Sequence, residues 1–271
     1  FIPKVKNFCF KYEFFDSPNK RKQHKNPKPR IGGLAIFLAF IISSLISYFY
    51  LLINGIGTDL IGFFIIFGSC FFLIGFIDDL YNLSPFLRLF LEFLFAVLIV
   101  NYGIKVNSFL LPFVFSNSNI VQFTNTLNDI FSIIWIVGVT NALNWLDGID
   151  GLLVSLVLIF DLALLVRFID LNNVSAIVIT LISLTSCLAF LKFNRYPSSI
   201  FLGDGGSHFL GFSISILTLL SFSSNQQYRF DLPGLNSFNI LGALFFLIVP
   251  LLDMFRVIIV RLISNKSPFY S

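Results

Sequence analysis

The chain has 271 residues, 56% of them apolar and only 12% charged, with 37 Phe and a formal net charge of +4. Soluble domains carry roughly a quarter charged residues, so this chain lacks a water-facing surface over much of its area, and its apolar runs exclude a pair of soluble domains. Cys9, Cys70 and Cys187 form an odd, scattered set, which excludes a disulfide framework or a cysteine metal site. They read as small buried apolar residues.

Residues 1–30 are basic and polar, without the apolar core of a signal peptide. The chain starts at Phe1 rather than Met, so this start reads as internal. Three parts are expected: a basic cytoplasmic segment (1–30), a single transmembrane helical domain (31–261) and a cut-short cytoplasmic loop (262–271). A bilayer span needs about 20 mostly apolar residues. Eight segments qualify, at about 31–53, 59–77, 87–102, 128–145, 151–169, 174–192, 207–223 and 238–261. Each must be helical, because lipid offers backbone groups no water to bond. The stretch 103–127 mixes Leu110, Leu111, Pro112 and Phe113 with Asn and Ser, and reads as an extramembrane or interfacial loop. Pro250 is expected to kink the eighth span, since it removes an intrahelical bond. The fold class is an all-α polytopic membrane protein, with Trp135, Trp145 and the many Phe facing lipid or packing.

Lys and Arg set the orientation. With residues 1–30 inside, all 18 cations except Lys105, Arg167 and Arg229 fall on the cytoplasmic side. The inside loops then hold Asp78-Asp79, Asn144-Trp-Leu-Asp147-Gly-Ile-Asp150-Gly and Gly203-Asp204-Gly205-Gly206-Ser207. Five of the 14 acids therefore gather at one membrane face, which random scatter would not produce.

Two adjacent carboxylates such as Asp78 and Asp79 repel unless a cation or a phosphate-bound metal lies near them. Asn144, Asp147 and Asp150 recur every three residues, which places them on one face if this is the end of one helix and the start of the next. A plain polar turn would explain the Asp and Gly there but not the register. Asn and Asp oxygens suit Mg²⁺, which usually takes one or two protein carboxylates plus phosphate oxygens and water. Asp204 stands in a glycine-rich turn just before a span, where helix N-terminal N–H groups attract anions. His208, beside it, reads as structural. Most cations of residues 20–30 suffice as topogenic charge, and Arg30, abutting Gly32-Gly33, is the best candidate for a phosphate contact. Glu92 and Asp161 are intramembrane acids, functional candidates by default. Glu92 is within reach of the polar face, whereas Asp161 lies near mid-span with no cation in its own helix.

These pieces together resemble the polyprenyl-phosphate N-acetylhexosamine-1-phosphate transferases. The matching stretches are DSPNKRKQHKNPKPRIGG (16–33), GFIDDLYNLSPFLRL (75–89), TNALNWLDGIDGL (140–152), FLGDGGSHFLGF (201–212) and RLISNKSPF (261–269), in family order over nearly the whole chain. The first is closest in form to the branch that starts O-antigen and other surface glycans, and Asn82 disfavours the peptidoglycan branch. The resemblance implies ten helices, of which these eight would be the second to ninth, and a histidine-rich motif beyond Ser271 that contacts the nucleotide-sugar. It implies transfer of a sugar-1-phosphate from a UDP-N-acetylhexosamine to undecaprenyl (polyprenyl) phosphate, with release of UMP, at the cytoplasmic face of a bacterial inner membrane. By the same resemblance Asn144 and Asp204 bind Mg²⁺ (Mn²⁺ as a substitute), and Asp78, Asp79, Asp147 and Asp150 are the other essential acids. Arg30, Asn141 and Gly205 are the candidates for substrate contact. The expected partners are the polyprenyl phosphate, the UDP-sugar and membrane lipids, with a homodimer compatible and no nucleic acid. The lipid phosphate is largely dianionic at neutral pH, so Asp78 and Asp79 read as organisers of metal and lipid phosphate rather than as a general base.

Rival readings fit less well. A cation-coupled transporter, the main alternative, would hold its acids near the bilayer midplane in broken helices. A CDP-alcohol phosphotransferase needs Ala-Arg after Asp-Gly, whereas Gly148 is followed by Ile149-Asp150. A prenyltransferase needs an acid where Asn82 stands.

Overall fold

The computed structural model describes residues 1–12, 14–16, 27–106, 118–223 and 246–264. Among these, nine α-helices follow in chain order: α1 Ile2–Tyr12, α2 Gly33–Ile53, α3 Asp59–Tyr81, α4 Pro85–Tyr102, α5 Ser118–Leu146, α6 Leu152–Asp170, α7 Val174–Asn194, α8 Gly203–Ser223 and α9 Ile248–Ile263. A two-residue antiparallel pair, β1 (Phe15–Asp16) with β2 (Lys28–Pro29), leads into α2. Six helices, α2 to α7, are long and apolar enough to cross a membrane. Large apolar side chains such as Phe49, Ile66, Phe90, Val166 and Leu188 stay exposed on them, a surface suited to lipid rather than water. The protein is a multi-pass helical membrane protein.

The core is organised around α8. From Leu210 to Leu219 every residue of this helix is buried, with α2, α3, α5 and α6 packed around it. A helix enclosed on all sides must satisfy its own polar groups, and it does so locally. The hydroxyls of Ser213, Ser215, Thr218 and Ser221 donate to carbonyls three or four residues back, at 2.8–3.0 Å. Thr218 also accepts the indole N–H of Trp135 on α5 at 3.1 Å, so this Trp is a buried packing residue. Phenylalanines fill the space between α2, α3 and α8: Phe37 stacks on Phe72 at a centroid distance of 4.0 Å and Phe71 on Phe212 at 4.7 Å. On α6, Asp161 accepts the Ser183 hydroxyl of α7 at 2.7 Å, and its other oxygen has no hydrogen-bond partner among the described residues.

Several boundaries differ from the sequence reading, each for a physical reason. Helix α5 begins at Ser118, inside the stretch read as a loop; from Ser118 to Val137 the sequence has no Gly or Pro to interrupt a helix. Residues 107–117 of that stretch lie outside the described residues. Pro250 lies just after a turn at Leu247 that separates helical Phe246 from α9. It sits in the first turn of α9, where its missing N–H removes no internal bond; the part of the eighth expected span before residue 246 lies outside the described residues. The basic segment contains the amphipathic helix α1, with Val5 and Cys9 buried. Finally, α8 starts at Gly203, so the glycine-rich motif is its first turn rather than a preceding loop.

Candidate active site

The first turn of α8 is wedged between the starts and ends of its neighbours, and glycine makes that possible. A Cβ at Gly75 of α3 would overlap the Asp204 carbonyl, and one at Gly33 of α2 would overlap Gly206. Gly203 sits at φ +80°, and a Cβ there would strike the Arg30 carbonyl. The backbone N–H groups of Gly32 and Gly33 donate to the carbonyls of Phe201 and Leu202 at 2.9 and 2.7 Å, which ties the entry of α2 to the entry of α8. Arg30 is thereby delivered to the end of α3.

Around this wedge three carboxylates converge. Arg30 Nε contacts Asp79 Oδ1 at 2.9 Å, and its Nη2 contacts Asp204 Oδ2 at 3.0 Å. Asp79 also accepts the Gly205 N–H at 3.0 Å. Asn144, in the last turn of α5, donates to Asp204 Oδ1 at 3.0 Å and to Ser207 Oγ at 2.7 Å. Asp147 follows the helix end and lies near enough to the Gly203 N–H, Arg30, Asp79 and Asp204 for each to act on its carboxyl. Desolvation first, then the nearby carboxylates of Asp204 and Asp79, push the Asp147 carboxyl well above its usual range; the Gly203 N–H and Arg30 oppose this only in part. One guanidinium faces three acids, so carboxyl groups outnumber the cations set against them.

The structure separates residues that the sequence grouped together. Adjacent helical residues point about 100° apart, so Asp78 turns away from Asp79. It contacts Arg88 at 2.7 Å and accepts the Leu83 N–H at 2.7 Å, fastening the end of α3 to α4. Each acid of the pair thus has an arginine of its own. Asp78→Asn and Arg88→Met are each expected to cost about 2 kcal/mol, between surface and buried pairs, and the double variant no more than either single one. Thermal unfolding across this double-mutant cycle measures the coupling.

The three-residue register also breaks. Helix α5 stops at Leu146, and the chain turns before α6, so Asn144 and Asp147 face Asp204 while Asp150 does not. Asp150 accepts the Ser198 N–H at 2.9 Å and contacts Lys28 Nζ at 3.5 Å, with Lys28 also over the Phe201 ring. Against the desolvation of its partial burial, the bonds from Ser198 and the Lys28 charge hold this carboxyl below its usual value. A depressed folded-state pKa contributes stability that is complete above the ordinary carboxylate range and is lost as pH falls through the depressed value. Asp150→Asn should therefore lower the thermal midpoint at pH 7 and narrow that difference below about pH 4, as a pH series of melts would record.

Asn141 and Gly205 are committed internally. Asn141 donates to Glu92 and to the Val137 carbonyl, beneath the carboxylates, and the Gly205 N–H serves Asp79. Residues that sequence reasoning left without a role in the site are Arg88, Ser198, Ser207 and His208. Apart from Arg88, whose partner lies 10 residues back, they bond to residues far along the chain.

No group of three or more His, Cys, Asp or Glu side chains among the described residues is arranged to hold a metal ion. The donor types of Asp79, Asp147 and Asp204 nonetheless suit a hard divalent cation that keeps most of its ligands as water and phosphate. As placed, Asn144 presents its N–H to Asp204, so it orients that carboxylate.

A helical membrane protein with an acid cluster at one end of a buried, glycine-started helix is the class defined by this geometry. Residues 60–222 match glycosyl transferase family 4. The chain is 34% identical over 266 residues to a probable undecaprenyl-phosphate N-acetylglucosaminyl 1-phosphate transferase of Bacillus subtilis, covering 98% of this chain and 69% of that protein. It is 28% identical over 265 residues to the undecaprenyl-phosphate alpha-N-acetylglucosaminyl 1-phosphate transferase of Thermotoga maritima, at 97% and 71% coverage. A phospho-N-acetylmuramoyl-pentapeptide-transferase of Staphylococcus haemolyticus is 30% identical over 253 residues, at 86% and 74% coverage. The chain belongs to glycosyl transferase family 4.

Proposed function

We propose that the protein transfers N-acetylglucosamine-1-phosphate, or a closely related N-acetylhexosamine-1-phosphate, from its UDP-linked form to undecaprenyl phosphate at the cytoplasmic face of a bacterial inner membrane. The observation that carries this reading is the convergence of Asp79, Asp147 and Asp204 with Arg30 at one end of the helical bundle. The relatives' names supply the substrates.

In the reaction an oxygen of the lipid phosphate attacks the sugar-linked phosphorus of the UDP-sugar. A new P–O bond forms, the bond to the bridging oxygen of the UMP half breaks, and UMP leaves with that electron pair. The lipid phosphate is already largely dianionic at neutral pH, so no side chain has to remove a proton. Mg²⁺, with Mn²⁺ as a substitute, would supply charge neutralisation on the diphosphate when bound. Asp204 and Asp147 would hold it, with Asn144 orienting the Asp204 carboxylate. Asp79, through Arg30 and the Gly205 N–H, fixes the first turn of α8 against α3. Arg30, about a third exposed, is placed to turn part of its guanidinium toward incoming phosphate. Asp78 and Asp150 hold the walls of the site in position.

The test is UMP release by the purified protein in detergent, with a panel of UDP-N-acetylhexosamines. Release that requires both the polyprenyl phosphate and Mg²⁺ supports the reading and names the sugar. Release that ignores the lipid contradicts it.

A further inference from the structure

We propose that Glu92 and His208 form a buried clamp that sets the position of Asp204. Both residues are fully buried and come from helices that do not adjoin in sequence, Glu92 from α4 and His208 from α8. His208 Nε2 lies 3.0 Å from Glu92 Oε1, and neither atom has another partner among the described residues. Glu92 Oε2 is taken by the amide of Asn141 on α5. On the other side of the ring, His208 Nδ1 lies 2.7 Å from the carbonyl of Asp204.

The hydrogen inventory then fixes what the ring does. A carbonyl only accepts, so Nδ1 carries its proton toward Asp204. Nε2 and Glu92 Oε1 need one further proton between them, and whichever of the two holds it, the contact is an attractive one. The Asp204 carbonyl is thus connected through the imidazole to a carboxylate on α4 and an amide on α5. A polar pair is costly to bury in an apolar bundle unless its geometry serves something, and here it ends on the residue at the centre of the site.

The need for such a clamp follows from the glycines. Asp204 is flanked by Gly203, Gly205 and Gly206, whose missing side chains allow α2 and α3 to close on the turn but offer nothing to hold it. Arg30 engages the Asp204 carboxylate from the open side and is itself about a third exposed. The clamp acts from the closed side. The Asp204 carboxylate is held separately, by the Asn144 amide at Oδ1 and by Arg30 at Oδ2. Glu92 and His208 are positioning residues. Their effect on catalysis rests on the proposed reaction, but their effect on the turn does not.

Hydrogen exchange of residues 203–208 in the full chain in detergent tests the clamp directly. Glu92→Leu and His208→Leu should each raise exchange there about tenfold while leaving 152–170 unchanged. In Glu92→Gln the amide can donate to Nε2 and accept from Asn141, so exchange should stay within about twofold of wild type. The double variant E92L/H208L removes both polar partners and should recover the melting temperature lost in the single variants, yet keep the fast exchange at 203–208. In turnover, His208→Leu should lower kcat about 10–100-fold with little change in KM for the UDP-sugar. Unchanged exchange at 203–208 in both Leu variants, exchange raised equally throughout the chain, or Glu92→Gln as loose as Glu92→Leu would each overturn the clamp. UMP release by the wild-type protein decides separately whether the proposed reaction is right.

Discussion

Asp204→Asn should reduce transfer by about 10³-fold, because losing an anionic metal ligand forfeits several kcal/mol of transition-state charge stabilisation. The substitution keeps the shape and leaves an oxygen facing Asn144 or Arg30. It changes neither the glycine contacts of the turn nor the His208 bond, which uses the backbone carbonyl. The fold should therefore survive, and melting of the variant without Mg²⁺ should match or exceed wild type, since one of three mutually repelling acids has gone. Single-turnover assays at saturating UDP-sugar and lipid measure the loss. Near-normal turnover would remove Asp204 from the chemistry.

Arg30→Met should act in the opposite sense on stability. The guanidinium joins Asp79, whose side chain is 1% exposed, to Asp204. Without it the site holds Asp79, Asp147 and Asp204 with no opposing charge from that position. Removing one partner of a fully buried pair costs 3–5 kcal/mol; with Arg30 partly open to water, a loss of about 2 kcal/mol is expected. Added Mg²⁺ should restore much of that loss in the variant and stabilise wild type less, because the cation takes over neutralisation. Turnover should fall about 10²-fold even with Mg²⁺, since a phosphate-facing cation is gone. Thermal melts with Mg²⁺ and with EDTA separate the two effects. An Arg30→Met protein as stable as wild type in EDTA would show that the three acids do not repel one another as the geometry requires.

The helical fold was legible because lipid leaves few choices: long apolar runs must be helices, and their ends fall where polar residues return. The central place of α8 was not legible, since a helix sheathed by other helices and one facing lipid are both apolar, and only its regularly placed Ser and Thr hint at the difference. In the site, Asp79, Asn144, Asp147 and Asp204 could be read from their gathering on one side of the membrane. The bonding partners of Asp78 and Asp150 could not. Direction of side chains decides them: one residue along α3 turns Asp78 toward Arg88, and the end of α5 at Leu146 breaks the register that would have aimed Asp150 at Asp204. Glu92 and His208 lie 116 positions apart in sequence, on α4 and α8, and no spacing signal connects them. Their common location near one end of the bundle was the only clue.

The most direct test of the reaction follows the phosphorus. A UDP-N-acetylhexosamine radiolabelled in its sugar-linked phosphate is given to the protein with undecaprenyl phosphate and Mg²⁺, and the products are separated into lipid and aqueous fractions. Transfer of the sugar-1-phosphate puts the label in the lipid and leaves unlabelled UMP in water. Label recovered in water as UDP, with sugar alone on the lipid, would contradict the account.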